Sequence, residues 1–223
     1  MSQPTEPSSI YQLRIVLREI SPLIWRRLLV CSDTTLAHLH TILQIVFDWS
    51  GEHRHTFHIH GKDYGSNGAE TRHVQLSAFR LRRGERFRYI YDYGAHWQCD
   101  IRLEARLPRE ARRFYSVCLA AKLAAPPEAC GGAWAYVALL EQHHYHPPVE
   151  AMLVAADAVQ ALLDADPQTS VRDAVREAVG SLDALQDAVD CLEAYQQCQP
   201  AHVDRRAINA RLRAWPWQRG EAP

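Results

Sequence analysis

Two runs of alternating residues, only four positions apart, constrain the fold more than anything else in the chain. Phe87, Tyr89, Tyr91 and Tyr93 fall on one side of an extended segment, and Trp97, Cys99, Ile101 and Leu103 fall on one side of the next. A period of two returns side chains to one face of a β-strand. A connection as short as Tyr93-Gly94-Ala95-His96 suits an antiparallel hairpin. Tyr11, Leu13, Ile15 and Leu17 alternate in the same way with Gln12, Arg14, Val16 and Arg18. After a turn at Ser21-Pro22, the segment Ile24–Val30 reads as a strand pairing back. His55–His60 puts Phe57 and Ile59 on one face and Thr56, His58 and His60 on the other, while Gly61–Gly68 reads as turn and loop. Leu36, Leu39, Leu43, Val46 and Phe47 recur at helical spacing behind the cap candidates Ser32-Asp33-Thr34-Thr35. The expected fold class is therefore α+β: an α/β roll of about five mostly antiparallel strands with a crossing helix, in which Trp25, Phe57, Tyr91 and Trp97 are core.

Beyond Gly131-Gly132 the character changes to alanine-rich helix. Ala133–Gln142 reads as one helix, and Met152, Leu153, Ala156, Val159, Leu162 and Leu163 form an apolar face that closes at Asp166-Pro167. A further helix opens at Ser170, with Asp173 in a capping-box-like position. From Val171 to Leu192 its apolar residues recur at alternating intervals of four and three, a heptad-like seam through residues 170–195 weakened at Gly180-Ser181. The seam suits either a helical hairpin with the preceding helix or a homodimer. Two regions are expected: a core over residues 1–146, and residues 147–223 as amphipathic helices and a basic tail packing on that core.

At 223 residues with 47% hydrophobic and 23% charged residues, the chain can build a core without disulfide or metal staples. No apolar stretch approaches the roughly 18 residues of a membrane helix. The N-terminus lacks a basic-then-apolar signal pattern, so a cytoplasmic, membrane-free protein is expected. The six cysteines contain no Cys-x-x-Cys pair, which argues against a zinc ribbon and for free thiols. Charge is segregated: residues 1–120 hold 17 Lys and Arg against 12 Asp and Glu, residues 121–200 hold 3 against 12, and residues 201–223 hold 5 against 2. Within the run Arg80–Arg88, residues Arg82, Arg83 and Arg86 are candidates for binding nucleic-acid phosphates, although Glu85 interrupts it.

Histidines crowd two segments: His53, His55, His58 and His60, then His143, His144 and His146. His58 and His60 share a strand face at about 6 to 7 Å, too far apart to clasp one ion unaided. The chain also carries, in order, Pro22-Leu23-Ile24-Trp25-Arg26-Arg27, Leu39-His40, Phe47-Asp48-Trp49, His53 and His55 before Phe57, Tyr91-Asp92-Tyr93-Gly94, Trp97, and Pro126-Pro127-Glu128 with Gly131-Gly132. This ordered set, over about residues 10–145, resembles the plasmid pRiA4b ORF-3-like family, also labelled insertion-element passenger proteins of the TnpR type. The tail Gln199–Asp204 with Ile208–Leu212 resembles that family's C-terminal end. The resemblance implies an α/β roll associated with plasmids and mobile genetic elements, with no established reaction. It also implies ligand-binding candidates at His53, His55, Asp92 and Glu128, and a metal set of His55, Asp92 and Cys99. Three positions depart from the family pattern: Ala95 replaces an acid, Cys99 a histidine and Ala129 an acid.

Against these stands a plainer reading, in which His55 and Asp92 form a structural hydrogen-bonded pair and Trp25, Trp49, Tyr91 and Trp97 are core. No nucleophile-and-base elbow, recombinase constellation or phosphate loop occurs, and Gly131-Gly132 reads as backbone freedom at a helix entry. Two function classes remain: a non-enzymatic accessory or binding protein with protein or nucleic-acid partners and no cofactor, or a metal-dependent hydrolase or nuclease using a divalent cation.

Overall fold

The computed structural model describes residues 9–66, 68–145, 147–166, 168, 170–198 and 203–216. All five expected strands form: β1 (Ile10–Leu17), β2 (Trp25–Cys31), β3 (His55–Ile59), β5 (Arg86–Tyr91) and β6 (Trp97–Leu107). Two more join them, β4 (Lys62–Gly65) and β7 (Val117–Lys122), giving one antiparallel sheet of order β4-β3-β5-β6-β1-β2-β7. With six helices among the described residues, this is an α+β protein. The segment from Gly61, read from sequence as loop, folds back because His60 and Gly61 both adopt positive φ (51° and 74°), the geometry of a two-residue hairpin turn.

One face of the sheet is the core. Leu13, Ile15, Leu28, Phe57, Tyr89 and Ile101 are completely or almost completely buried there, opposite helix α1 (Leu36–Phe47). Thr35 caps α1 by accepting from the His38 amide, and Asp48 ends it in the left-handed region. Trp25 corrects the expectation from sequence. It is half-buried on the opposite, outer face, and its neighbour Arg26 points into the core at 1% exposure. The Arg26 guanidinium donates to the carbonyls of Val46 (2.8 Å), Trp25 (3.0 Å), Lys122 (3.3 Å) and Leu123 (2.8 Å), tying the C-terminal turn of α1 to β2 and the end of β7. Tyr93 is also displaced. Asp92 at φ 54° breaks the alternation after Tyr91, so Tyr93 leaves the core and is 37% exposed.

The edge of β7 is sealed by helix α6 (Arg205–Ala214). Asn209 accepts from the Cys118 amide (2.8 Å) and donates to the Cys118 carbonyl (3.1 Å), as a neighbouring strand would.

The chain divides into two compact units, residues 1–135 with 200–223, and residues 136–199. Helix α6 of the tail thus belongs with the sheet, and the boundary falls eleven residues before the expected one, inside α2 (Ala133–Tyr145). The second unit assembles from α3 (Val149–Asp164), α4 (Val171–Val179) and α5 (Leu182–Cys198). The expected seam is not one helix: Gly180 at φ 80° separates α4 from α5, and both pack against α3. The face of α3 is also inverted relative to its reading from sequence. Ala151 and Ala158 are buried, whereas Met152, Leu153, Val159, Leu162 and Leu163 are exposed. Alanine lets helices approach closely, and that contact outweighed the bulkier stripe. The sheet unit carries 23 basic and 15 acidic residues and the helical unit 2 and 11. No helix among the described residues is long and apolar enough to cross a membrane.

Candidate functional site

Tyr91 closes the core face of β5 and sends its hydroxyl to a rim where three loops meet. That hydroxyl accepts from the Gly51 amide (3.0 Å) and donates to Glu128 Oε1 (2.7 Å). Glu128 also accepts from the Ser50 amide (2.5 Å) and the Ser50 hydroxyl (2.9 Å), and His53 Nε2 lies 3.4 Å away. Burial works against ionisation of Glu128, but the bonds from Ser50 and Tyr91 and the nearby His53 together hold its carboxyl below the ordinary value. Asp92 accepts from the Gly94 amide (2.9 Å), with His53 Nε2 at 3.9 Å from its second oxygen. Gly132 completes the rim, since a Cβ there would sit 2.1 Å from the Ala95 carbonyl oxygen. The Tyr-Asp-Tyr-Gly and Pro-Pro-Glu motifs therefore lock the 50–54 loop, the β5–β6 turn and the Gly131-Gly132 turn together. Replacing Glu128 by alanine strands the Tyr91 hydroxyl and the Ser50 amide. A loss of about 1–3 kcal/mol is expected, read as a lower urea midpoint with faster proteolytic cleavage at 50–54. An unchanged midpoint would refute the locking role.

His55 does not join this rim. Lying opposite Tyr91 on β3, it faces the core and stacks on His40 of α1, with ring centroids 3.7 Å apart and planes 10° from parallel. The Tyr89 hydroxyl accepts from Gln44 (2.7 Å) and lies 2.7 Å from His40 Nδ1, so its proton faces that nitrogen. Burial, helped by His55, lowers the His40 pKa to about 3, and burial lowers His55 to about 4. Both rings are neutral at ordinary pH, and His55 Nε2 is buried without a hydrogen bond among the described residues. Sequence reasoning missed His40 as a partner. Its signal was a place on the apolar face of α1, four residues after Leu36.

The metal set expected at His55, Asp92 and Cys99 is not brought together. His55 is held under α1, Asp92 is at the rim, and Cys99 is buried on β6 between Leu17 and Tyr89. Burial pushes the Cys99 thiol well up, away from the thiolate that binds metals. Among the described residues no group of three or more His, Cys, Asp and Glu is arranged to hold an ion. His58 and His60 instead pair with Asp63 and Glu85. The His143-His144-His146 cluster lies outside the described residues and side chains.

The basic candidates lead to a larger feature. Arg82 and Arg83 line an open cleft of about 590 Å³ with Arg80 and His60. Arg83 also lines a second cleft, of about 420 Å³, with Gln12, Arg27 and Arg102. Arg86 is the first of four arginines aligned directly across neighbouring strands: Arg86 on β5 faces Arg102 on β6, which faces Arg14 on β1, which faces Arg27 on β2. The row lies on the outer face. Glu104 takes a bidentate pair from Arg27 (2.6 and 3.0 Å), and the Arg27 bond holds the Glu104 carboxyl below its ordinary value. Among the described residues Arg86 and Arg102 make no ion pair, and Arg14 Nε is buried without a hydrogen bond. The signal was an arginine at a non-core position of each strand, legible only once the register is known.

Fold and motif rim together define an open antiparallel sheet with one face roofed by a helix and a loop rim locked through Tyr91 and Glu128. The chain belongs to the plasmid pRiA4b ORF-3-like protein family, whose sequence profile matches residues 9–168. It is 28% identical over 137 residues to the uncharacterized protein y4hQ of Sinorhizobium fredii (strain NBRC 101917 / NGR234), covering 58% of this chain and 70% of that one. It is also similar to the crystal structure of the protein of unknown function MM3350 from Methanosarcina mazei Go1, at 31% identity and a TM-score of 0.60, covering 75% of this chain and 98% of the other.

Proposed function

We propose that this protein is a non-enzymatic, nucleic-acid-binding accessory protein associated with mobile elements, and that the outer sheet face is its interface. The observation that carries this reading is the row Arg86, Arg102, Arg14 and Arg27. Like charges directly opposite one another destabilise a sheet. Here Glu104 offsets one of the four. A polyanion relieves the remaining repulsion, and guanidinium forks suit phosphate oxygens. The plasmid connection of the family supports the mobile-element association. A hydrolase or nuclease centre at His53, His55, Asp92 and Glu128 has weaker support, because Glu128 is engaged by Ser50 and Tyr91 and His55 faces the core.

Fluorescence anisotropy with labelled oligonucleotides tests the reading. Three phosphate contacts, from Arg86, Arg102 and Arg14, imply that affinity falls roughly 20- to 40-fold between about 50 and 200 mM salt. Changing Arg86 and Arg102 together to glutamine should flatten that dependence by about two-thirds. Binding indifferent to salt, or unaltered in the double variant, would remove the sheet face as the interface.

A further inference from the structure

Beside the arginine row, two residues further along each strand, runs a second row of different chemistry: Arg88, Asp100, Val16 and Trp25. Its charges cancel, one arginine against one aspartate, and it includes an aliphatic and an indole surface. Trp25 is half-buried on this face, with the guanidinium of Arg14 at 5.0 Å and that of Arg27 at 5.5 Å from its ring. The indole thus orients Arg14, one of the three arginines free for phosphate, together with the Glu104-paired Arg27. At the other end of the face, Ile90, Thr56 and Arg88 line a shallow cleft of about 470 Å³ with Tyr93, the aromatic expelled from the core by the Asp92 turn. Tyr93 is fixed there by a hydrogen bond between its hydroxyl and that of Thr56.

Resting on the nucleic-acid reading above, we infer that the ligand of this face is single-stranded: phosphates lie along the arginine row and unstacked bases lie over the adjoining row, reaching Trp25 at one end and Tyr93 at the other. The two rows are separated by about 6.7 Å along the strands, and the arginine row spans roughly 14 Å across them, or three inter-strand spacings. These dimensions suit a backbone on one side with base planes on the other. Single strands are bound by such a combination of cationic groove and aromatic platform. A duplex offers only its phosphates to a sheet face, because its bases are stacked inside. Reading them requires a helix or two-stranded ribbon that enters a groove, and the outer face holds neither among the described strands. The Trp25 row would be idle against a duplex.

The test compares a labelled short oligothymidylate with duplex DNA of the same length, using the full chain at low salt. The single strand is expected to bind at least about tenfold tighter. Tyr93→Leu should weaken single-strand binding by roughly five- to tenfold while leaving duplex binding within about twofold, because stacking requires exposed bases. Trp25→Leu, which also releases Arg14 and Arg27, should weaken both ligands and the single strand more. Arg102→Gln should weaken both ligands. Tyr93 is exposed, so its variant keeps the test valid if the Trp25 variant folds poorly. Equal or tighter duplex binding, or equal losses for both ligands in the Tyr93 variant, overturns the single-strand inference and leaves the nucleic-acid reading intact. Binding of neither ligand overturns both.

Discussion

Changing Arg26 to methionine should lower the unfolding free energy by about 3–5 kcal/mol, because several buried carbonyls lose their donor at about 1–3 kcal/mol each while the cost of burying the charge is recovered. Two effects oppose each other here. Burial of a guanidinium costs free energy, and it pulls the Arg26 pKa down to about 10, so the group is still protonated at neutral pH. Against that stand bonds to four carbonyls and a cation–π contact with Phe47 at 5.1 Å. Methionine fills much of the volume but leaves those carbonyls, including Val46 at the negative end of α1, without their donor. Lysine at this position keeps the charge yet cannot span acceptors on α1, β2 and β7 at once, so a loss of roughly 2 kcal/mol is expected. The measurement is a urea titration at unchanged m-value. A methionine variant as stable as the parent would show that the burial cost cancels the bonds.

Stability should also fall steeply as the solution is acidified, well before the carboxylates titrate. In the unfolded chain each imidazole titrates near about pH 6.5, whereas folded His40 and His55 titrate near 3 and 4. Between those limits the unfolded state binds protons that the folded state refuses. The histidines' contribution is therefore complete above about pH 6.5 and is lost progressively as pH falls toward the folded values. Each costs about 1.4 kcal/mol per pH unit below its unfolded value, so at about pH 5 the pair removes roughly 4 kcal/mol. That is a large part of an ordinary domain's stability. Glu104 and Glu128, held low by their partners, act in the same direction only below the ordinary carboxylate range, so the interval above about pH 5 isolates the histidines. Urea titrations at about pH 7.5 and 5 should differ by this amount, and His40→Gln should roughly halve the difference. A pH-independent midpoint over that interval would show that the rings are not neutral in the fold.

The family motifs acquire a physical meaning through these contacts. Arg26 in the Trp-Arg-Arg segment joins a helix end to two strands, and the Tyr-Asp-Tyr-Gly turn and Pro-Pro-Glu segment meet at Tyr91 and Glu128. Two of the three positions read from sequence as departures, Ala95 and Cys99, lie beside these contacts. Ala95 lends its carbonyl to the close approach of Gly132, and Cys99 fills a core position between Leu17 and Tyr89.

What the amino-acid sequence determined alone was everything that repeats locally. Period-two alternation specified β1, β2, β3, β5 and β6, and helical spacing behind Thr35 specified α1, because side-chain direction within an element depends only on its own backbone. Tertiary structure decided which side of an ambiguous element faced inward. Trp25 and Arg26 are adjacent and of opposite polarity, yet arginine went inside because three carbonyls from two distant segments converge there. Tyr93 left the core through one left-handed residue, Asp92, and α3 turned its alanines inward because α4 and α5 approach it closely. The stacked His40 and His55, and the arginines at 86, 102, 14 and 27, come from segments far apart in the chain. Their alignment depends on strand register and helix docking, which arise from long-range pairing and leave no periodic trace along the chain.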